Sequence, residues 1–278
     1  MKDSVMGKSA RYIVLTIILL FLLFPVLWVL LTSLKTNMEA YRFPPTFFPE
    51  KLSVEGYLRL FTENNDFFTY YKNNFIVSGA TAFFTTIFAI FSGYGLSRFH
   101  FKWNRWIIAA LLSSQMFPVI SRMISLYDIL GKIHLINTRT GLVLALTASQ
   151  LPFTVMLMGS FFDGVPVAIE EAARIDGAGR FQILWRIVTP LVKPGMLAAG
   201  LYAFLMTWDD YLHCVTLIQT DKLRTLSAGV ALRYLGELSF DWSLINSISI
   251  VAMLPMIILF FFFQRYMVSG LVAGAVKG

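Results

Sequence analysis

Residues 12–31 read YIVLTIILLFLLFPVLWVLL, twenty residues without one charged side chain. A helix rises about 1.5 Å per residue, so this run measures about 30 Å, the thickness of a bilayer's hydrocarbon core. A helix apolar on every side does not sit on a soluble surface, and lipid is its natural solvent. A secretory signal would carry a shorter apolar run and a small-x-small cleavage site after it, so the run is expected to stay as a span. Five further stretches pass the same test. The expected spans are 12–31, 75–97, 106–124, 141–162, 195–217 and 244–263.

Composition agrees. Hydrophobic residues make up 57% of the 278 and charged ones 14%, where soluble domains carry about 25% charge. Such a chain has too few polar groups to cover a globular surface. The formal charge of +7 does not point to nucleic acid, because Lys and Arg are spread over every loop rather than gathered along a phosphate-tracking stripe. The single cysteine, Cys214, allows no internal disulfide, and no Cys/His spacing suggests zinc.

Orientation follows from the short loops. RFHFKWNR, residues 98–105, packs Arg98, Lys102 and Arg105 into eight positions, which assigns this loop to the cytoplasm, and Lys2, Lys8 and Arg11 before the first span agree. The Lys and Arg totals on the two sides are nearly equal, so density in short loops carries the assignment. The expectation is an all-α membrane protein with six transmembrane helices and both termini cytoplasmic: an N-terminus over 1–11, a membrane domain over 12–263 and a C-terminal tail over 264–278.

Between the fourth and fifth spans the chain makes a polar excursion, residues 163–194, far longer than the few residues that close most helix–helix connections. Pro166 suits the first turn of a short helix. VAIEEAARI continues it with good helix formers, and Glu170 and Arg174 stand four apart in the order that favours an ion pair. Gly177 and Gly179 permit a sharp reversal. RFQILWRIV follows, and Pro190 and Pro194 end the excursion. Ala168, Ala172 and Ala173 leave the first helix slim enough for a groove on another protein. From composition two readings stand: a helix docked on a partner, or one lying on the headgroups.

EAARIDGAGRFQILWRIVTP resembles the EAA loop of ABC importer permeases. Glu171, Ala172, Ala173, Gly177, Ile187 and Pro190 match it, and Thr189 departs where leucine is usual. NNFIVSGATAFFTTIFAIFSGYGLSRFHF, GSFFDGVP, WDDYL and FQRYMVSGLVAGAVKG extend the likeness over nearly the whole chain, to the shorter six-span permease of the maltose-transporter type. The resemblance implies a type I ABC importer permease fold with a cytoplasmic coupling helix between helices 4 and 5. It makes Glu170, Glu171, Ala172, Ala173, Asp176, Gly177, Ile187 and Pro190 the contacts to an ATPase, and sends Gly274, Ala275, Val276, Lys277 and Gly278 toward the ATPase subunits, where composition alone reads a flexible terminus. Implied partners are a second permease subunit, two cytoplasmic ATPase subunits that bind ATP and Mg, an extracytoplasmic solute-binding protein, a sugar and the lipid of a bacterial or archaeal inner membrane. No cofactor is expected in this chain, which lacks a phosphate loop of the G-x-x-x-x-G-K-[ST] form.

Other polar positions admit two readings each. Asp209 and Asp210 line the translocation path, or sit near the outer interface paired with Arg or Lys from a loop. Ser114 and Gln115, beside Pro118, and Gln150, beside Pro152, line the path or serve as interhelical hydrogen bonds. The leading function is a non-catalytic permease subunit of an ATP-driven sugar or oligosaccharide importer. A permease for a polyol, a glycerophosphodiester or another small polar solute is the alternative. An ion-coupled secondary transporter lacks support, since no internal repeat or midplane charge cluster is evident. A membrane-embedded enzyme fits less well still, since no nucleophile–base pair recurs at helical spacing within a span.

Overall fold

The apolar runs form helices, and no strand occurs among the residues that the computed structural model describes: 5–62, 65–99, 101–234 and 240–275. In chain order these are α1 (Val5–Ser33), α2 (Asn37–Ala40), α3 (Glu55–Thr62), α4 (Asn65–Arg98), α5 (Asn104–Met116), α6 (Val119–Lys132), α7 (Arg139–Asp163), α8 (Val167–Ile175) and α9 (Arg180–Gln182). A π-helical turn, Ile183–Val188, leads into α10 (Thr189–Leu191) and α11 (Lys193–Trp208). Then come α12 (Leu212–Leu217), a 3₁₀ turn at Asp221–Leu223, α13 (Leu226–Tyr234) and α14 (Trp242–Ala275). Lys2, Val276, Lys277 and Gly278 lie outside the described residues. Gly274 and Ala275 belong to the last turn of α14, so the stretch read as a flexible tail continues the helix as far as Ala275.

Four helices are long and apolar enough to cross a membrane: Arg11–Ser33, Asp66–Arg98, Arg139–Asp163 and Trp242–Gln264. They contain the first, second, fourth and sixth expected spans. The third does not run straight from 106 to 124. Pro118 forces its predecessor out of the helical region; Phe117 takes φ −73°, ψ 135° and the chain turns by 107° between α5 and α6. Before the fifth, the chain bends by 81° where the segment Arg180–Leu191 meets α11. α11 then ends at Trp208, so 209–217 is not its continuation but a cap followed by the separate short helix α12.

The chain divides into two compact units. The first combines Met1–Phe67 with Ala231–Leu254. Here Gly56 lets α3 approach α14 closely, since a Cβ would stand 2.6 Å from Ser247 Oγ and 2.7 Å from the Ser243 carbonyl. Arg59 pairs with Asp241, and Ser33 Oγ and Tyr57 OH share a 2.7 Å hydrogen bond. The most apolar stretch of α1 has no buried residue. Burying that surface against lipid or another subunit is what its composition requires.

The second unit combines Phe68–Val230 with Pro255–Gly278. α7 runs through its core: Leu142, Leu146, Met158 and Phe162 are fully buried or nearly so. α11 packs on α7, where Gly195 faces the Phe161 ring and leaves no room for a Cβ, which would sit 2.4 Å away. Asn73, buried on α4, donates to the carbonyls of Lys222 and Arg224 and accepts from Arg139. These bonds explain why α4 starts ten residues before the apolar run at 75–97: its first turns bury Phe67, Tyr70, Asn73 and Asn74 instead of facing lipid.

Candidate functional site

The polar excursion folds as a hairpin packed on the second unit. Pro166 caps α8 rather than entering its first turn, with φ −59° and ψ 129°. α8 is amphipathic: Glu170 and Ala173 point inward, and Ala168, Glu171 and Ala172 are exposed. It ends in a Schellman motif. Ala178 N–H donates to the Ala173 carbonyl at 2.9 Å and Gly177 N–H to the Arg174 carbonyl at 3.0 Å. That closure puts Gly177 at φ +84°, the left-handed region in which glycine alone is unstrained. Gly179 is no part of the reversal in this sense, being extended at φ −70°, ψ 157°.

The second limb runs through α9, the π turn and α10. Pro190 has no N–H to give the helical ladder and its ring would press on the carbonyl four residues back; the wider π turn stands just before it. Ile183, Leu184 and Val188 bury against Ile90, Val155, Met158 and Phe162, so both limbs rest on the ends of α4 and α7.

What fixes α8 in place is a buried ion pair. Glu170, with no exposed surface, accepts from Arg98 Nε at 2.5 Å on one oxygen and from Tyr94 OH at 2.7 Å on the other. Arg98, its side chain 8% exposed, also donates from Nη2 to the carbonyls of Phe162 and Val165, both at 2.8 Å, and from Nη1 to Ser97 Oγ. Ser97 Oγ donates to Asp163 at 2.5 Å. One guanidinium thus ties together the end of α4, the end of α7 and the start of α8. The expected Glu170–Arg174 pair is replaced by this one: Glu170 turns inward, and Arg174 is exposed. Arg98 and Tyr94 were missed as site residues. The signal was present in GYGLSR, where a tyrosine and an arginine four apart close a span, but a basic residue at a span end reads first as an orientation marker.

The eight expected coupling residues therefore separate. Glu170 and Ala173 are buried anchors and Ile187 is half-buried; Glu171, Ala172, Asp176, Gly177 and Pro190 are exposed. Glu171, Ala172 and Asp176 share the free side of α8 around the glycine turn.

The expected path residues form no single lining. Ser114 Oγ is spent on the Leu111 carbonyl of its own helix, at 2.7 Å. Gln115 reaches the Ser149 carbonyl at 3.5 Å, a long contact between α5 and α7, and Gln150 is half-buried on α7. Asp209 is exposed at the end of α11. Asp210 is largely buried, and its partner is His213 Nδ1 at 2.6 Å rather than a loop Arg or Lys; it also accepts the Cys214 N–H at 3.2 Å. His213 Nε2 lies 3.0 Å from Ser149 Oγ, so the chain Asp210–His213–Ser149 joins α12 to α7. Its order resembles a hydrolase relay, but Ser149 stands mid-helix, where the surrounding N–H groups serve the helical ladder and no oxyanion donors face it. No group of three His, Cys, Asp or Glu able to hold a metal occurs among the described residues.

Residues 85–272 match the family model described as "Binding-protein-dependent transport system inner membrane component". The chain belongs to this family. It is a permease subunit of a binding-protein-dependent ABC importer. Over 272 residues it is 35% identical to the sulfoquinovosyl glycerol transport system permease SmoH of Agrobacterium fabrum, covering 98% of this chain and 95% of that one. It is 29% identical to the diacetylchitobiose uptake permease DasC of Streptomyces coelicolor, covering the whole of both. The trehalose/maltose transport permease MalG of Thermococcus litoralis is 28% identical, again over the whole of both chains. Among solved structures, a chain of a bacterial ABC transporter involved in alginate import superposes with a TM-score of 0.83 at 21% identity, covering 96% of this permease and 98% of that chain. The permease fold is therefore shared.

Proposed function

We propose that the permease supplies half of a heterodimeric translocation pathway for a sugar or oligosaccharide. Similar permeases are named for the uptake of glycosides and oligosaccharides, which supports that substrate class. The pathway works by alternating access, each partner favouring one conformation over the other, without which neither shifts the equilibrium. The four long helices, the bent pair α5–α6 and α11 make six crossings, with both termini and the hairpin 163–194 in the cytoplasm of a cell whose inner membrane holds the importer. ATP and Mg are bound by two ATPase subunits, and a solute-binding protein delivers the sugar from outside.

One observation carries the coupling role. The free side of α8 presents Glu171, Ala172 and Asp176, and its opposite side is fixed through Glu170 to α4 and α7 by a buried ion pair. Force applied to such a helix passes into the spans instead of bending a loop. The test is a cysteine at Ala172 in the complete importer, probed by cross-linking to cysteines on the ATPase. A cross-link that changes yield between ATP-bound and nucleotide-free complex supports the role. Labelling of Ala172→Cys from the extracytoplasmic side would refute it.

A further inference from the structure

Beside the clamp, on the same end of the second unit, two shallow hollows combine cations with aromatic rings. The first, about 480 Å³, is lined by Phe101, Lys102, Asn104, Arg105 and Trp106. The second, about 520 Å³, is lined by Gly179, Arg180, Phe181, Gln182, Trp185 and Arg186. No carboxylate lines either among the described residues. The coupling role uses none of the four cations, and Lys102, Arg105, Arg180 and Arg186 are all exposed.

Their depth is set by α4. Its outward residues Phe83, Phe84, Phe88 and Phe91 are exposed rings of a kind that suits acyl chains. Trp185 packs edge-on against Phe91 at 5.8 Å, and the Arg180 guanidinium lies 5.3 Å above Phe99. The second limb of the hairpin therefore lies along α4 from the level of residue 91 to that of 99, about 12 Å at 1.5 Å per residue. The headgroup layer on each side of a bilayer is about 5–8 Å thick, so a limb of that length reaches across it. Trp103 and Trp106, 62% and 65% exposed, belong to the same belt. Amphipathic rings concentrate at this level, where one end of the ring is in apolar and the other in polar surroundings. Arginines and lysines at the same level face lipid phosphates.

We propose that the two hollows bind the phosphate headgroup of anionic phospholipid, with the second limb of the hairpin lying in the headgroup layer. The charge complementarity is direct: four cations, donors suited to phosphate oxygens, and no competing acid. Headgroups held against Arg180 and Arg186 would set the resting position of the limb that follows the coupling helix. This rests on the transport reading only in taking the spans to lie in a bilayer.

The test uses the whole importer purified in mild detergent, with phosphatidylglycerol and phosphatidylethanolamine as probes and retained lipid counted by native mass spectrometry. The variant Lys102→Gln/Arg186→Gln removes one cation from each hollow and keeps the stems; Lys51→Gln/Lys72→Gln removes two exposed cations elsewhere. Wild type and the control should retain phosphatidylglycerol preferentially, and raised salt should release it from wild type. The hollow variant should bind it about twenty-five-fold more weakly, five-fold for each charge. Equal retention of the two lipids by wild type, or equal losses in the two variants, would overturn the proposal. ATP hydrolysis measured in the same samples separates the two readings: an importer that hydrolyses ATP but shows no lipid preference leaves transport standing and removes the lipid site, and a lipid-binding chain that never assembles with an ATPase does the reverse.

Discussion

Replacing Arg98 by alanine should loosen α8 more than any surface change on it. The substitution leaves Glu170 wholly buried without its cation, and breaking one side of a buried pair costs about 3–5 kcal/mol. The carbonyls of Phe162 and Val165 lose their donors as well, which adds about 1 kcal/mol each where water does not replace them. If the clamp is what holds α8, its opening population rises by roughly 100- to 4,000-fold from the ion pair alone, at a factor of ten per about 1.4 kcal/mol. Hydrogen–deuterium exchange of 167–178 in the assembled importer reads this directly, alongside ATP hydrolysis stimulated by the binding protein. Arg98→Lys should fall between, because an ammonium has three donors for the four acceptors that the guanidinium serves. The decisive variant is Arg98→Met/Glu170→Met. Removing both charges together relieves the uncompensated one, and such apolar replacements are often neutral. Exchange in the double variant should return close to wild type while stimulated hydrolysis stays low, because apolar side chains hold α8 without fixing its register. The reasoning fails if Arg98→Ala leaves exchange of 167–178 unchanged, or if the double variant exchanges as fast as the single.

Gly177→Val should insert normally but co-purify poorly with the ATPase, since a β-branched residue at φ +84° is strained by about 1–3 kcal/mol although no atom lies in its way; Gly177→Asn, tolerated in that region, should retain more ATPase. Asp209→Asn should leave sugar uptake by the reconstituted importer unaltered, the residue being exposed, whereas Asp210→Asn weakens the bond to His213 and should lower the thermal midpoint by an amount equivalent to about 1.5–3 kcal/mol. Deleting the last twelve residues should preserve assembly, checked by size exclusion, but reduce stimulated ATP hydrolysis.

Four spans were legible because hydropathy over about twenty residues reports burial in lipid without reference to any other part of the chain. The other two were harder, because a window average cannot see a single dihedral. Pro118 reads as a break, but its effect on Phe117 turns the chain by 107°, and just before the fifth span Pro190 and Pro194 bracket a bend of 81°. The hairpin's reversal was readable from Gly177, since a glycine after a helical run signals its own backbone need. Its anchor was not. Arg98 and Glu170 are 72 residues apart, and helical spacing offers only neighbours three or four along, which is why Arg174 looked like the partner. His213 escaped for the converse reason: it stood three residues from Asp210, but attention to loop cations passed over it.

These misses share a physical cause that bears on the mechanism. Helix formation and lipid burial are local, so sequence reports them; the contacts that join helices into moving bodies are few and distant. In the second unit two polar links join helices far apart in sequence, Arg98 with Glu170 where α4 ends and Asp210 and His213 with Ser149 in the middle of α7. α7 and α11 touch through Gly195 and the Phe161 ring beside the clamp, and further along through the rings of Phe153 and Tyr202, contacts without hydrogen-bond register. Apolar surfaces that lack such register slide at small energetic cost, whereas a buried ion pair has one good geometry. Alternating access needs both: fixed points through which force enters, and smooth faces along which spans shift by the small translations of shear motion. A polar pair engineered across the α7–α11 contact should therefore slow transport even where it raises stability, and transport at the wild-type rate in such a variant would show that these two helices move as one piece.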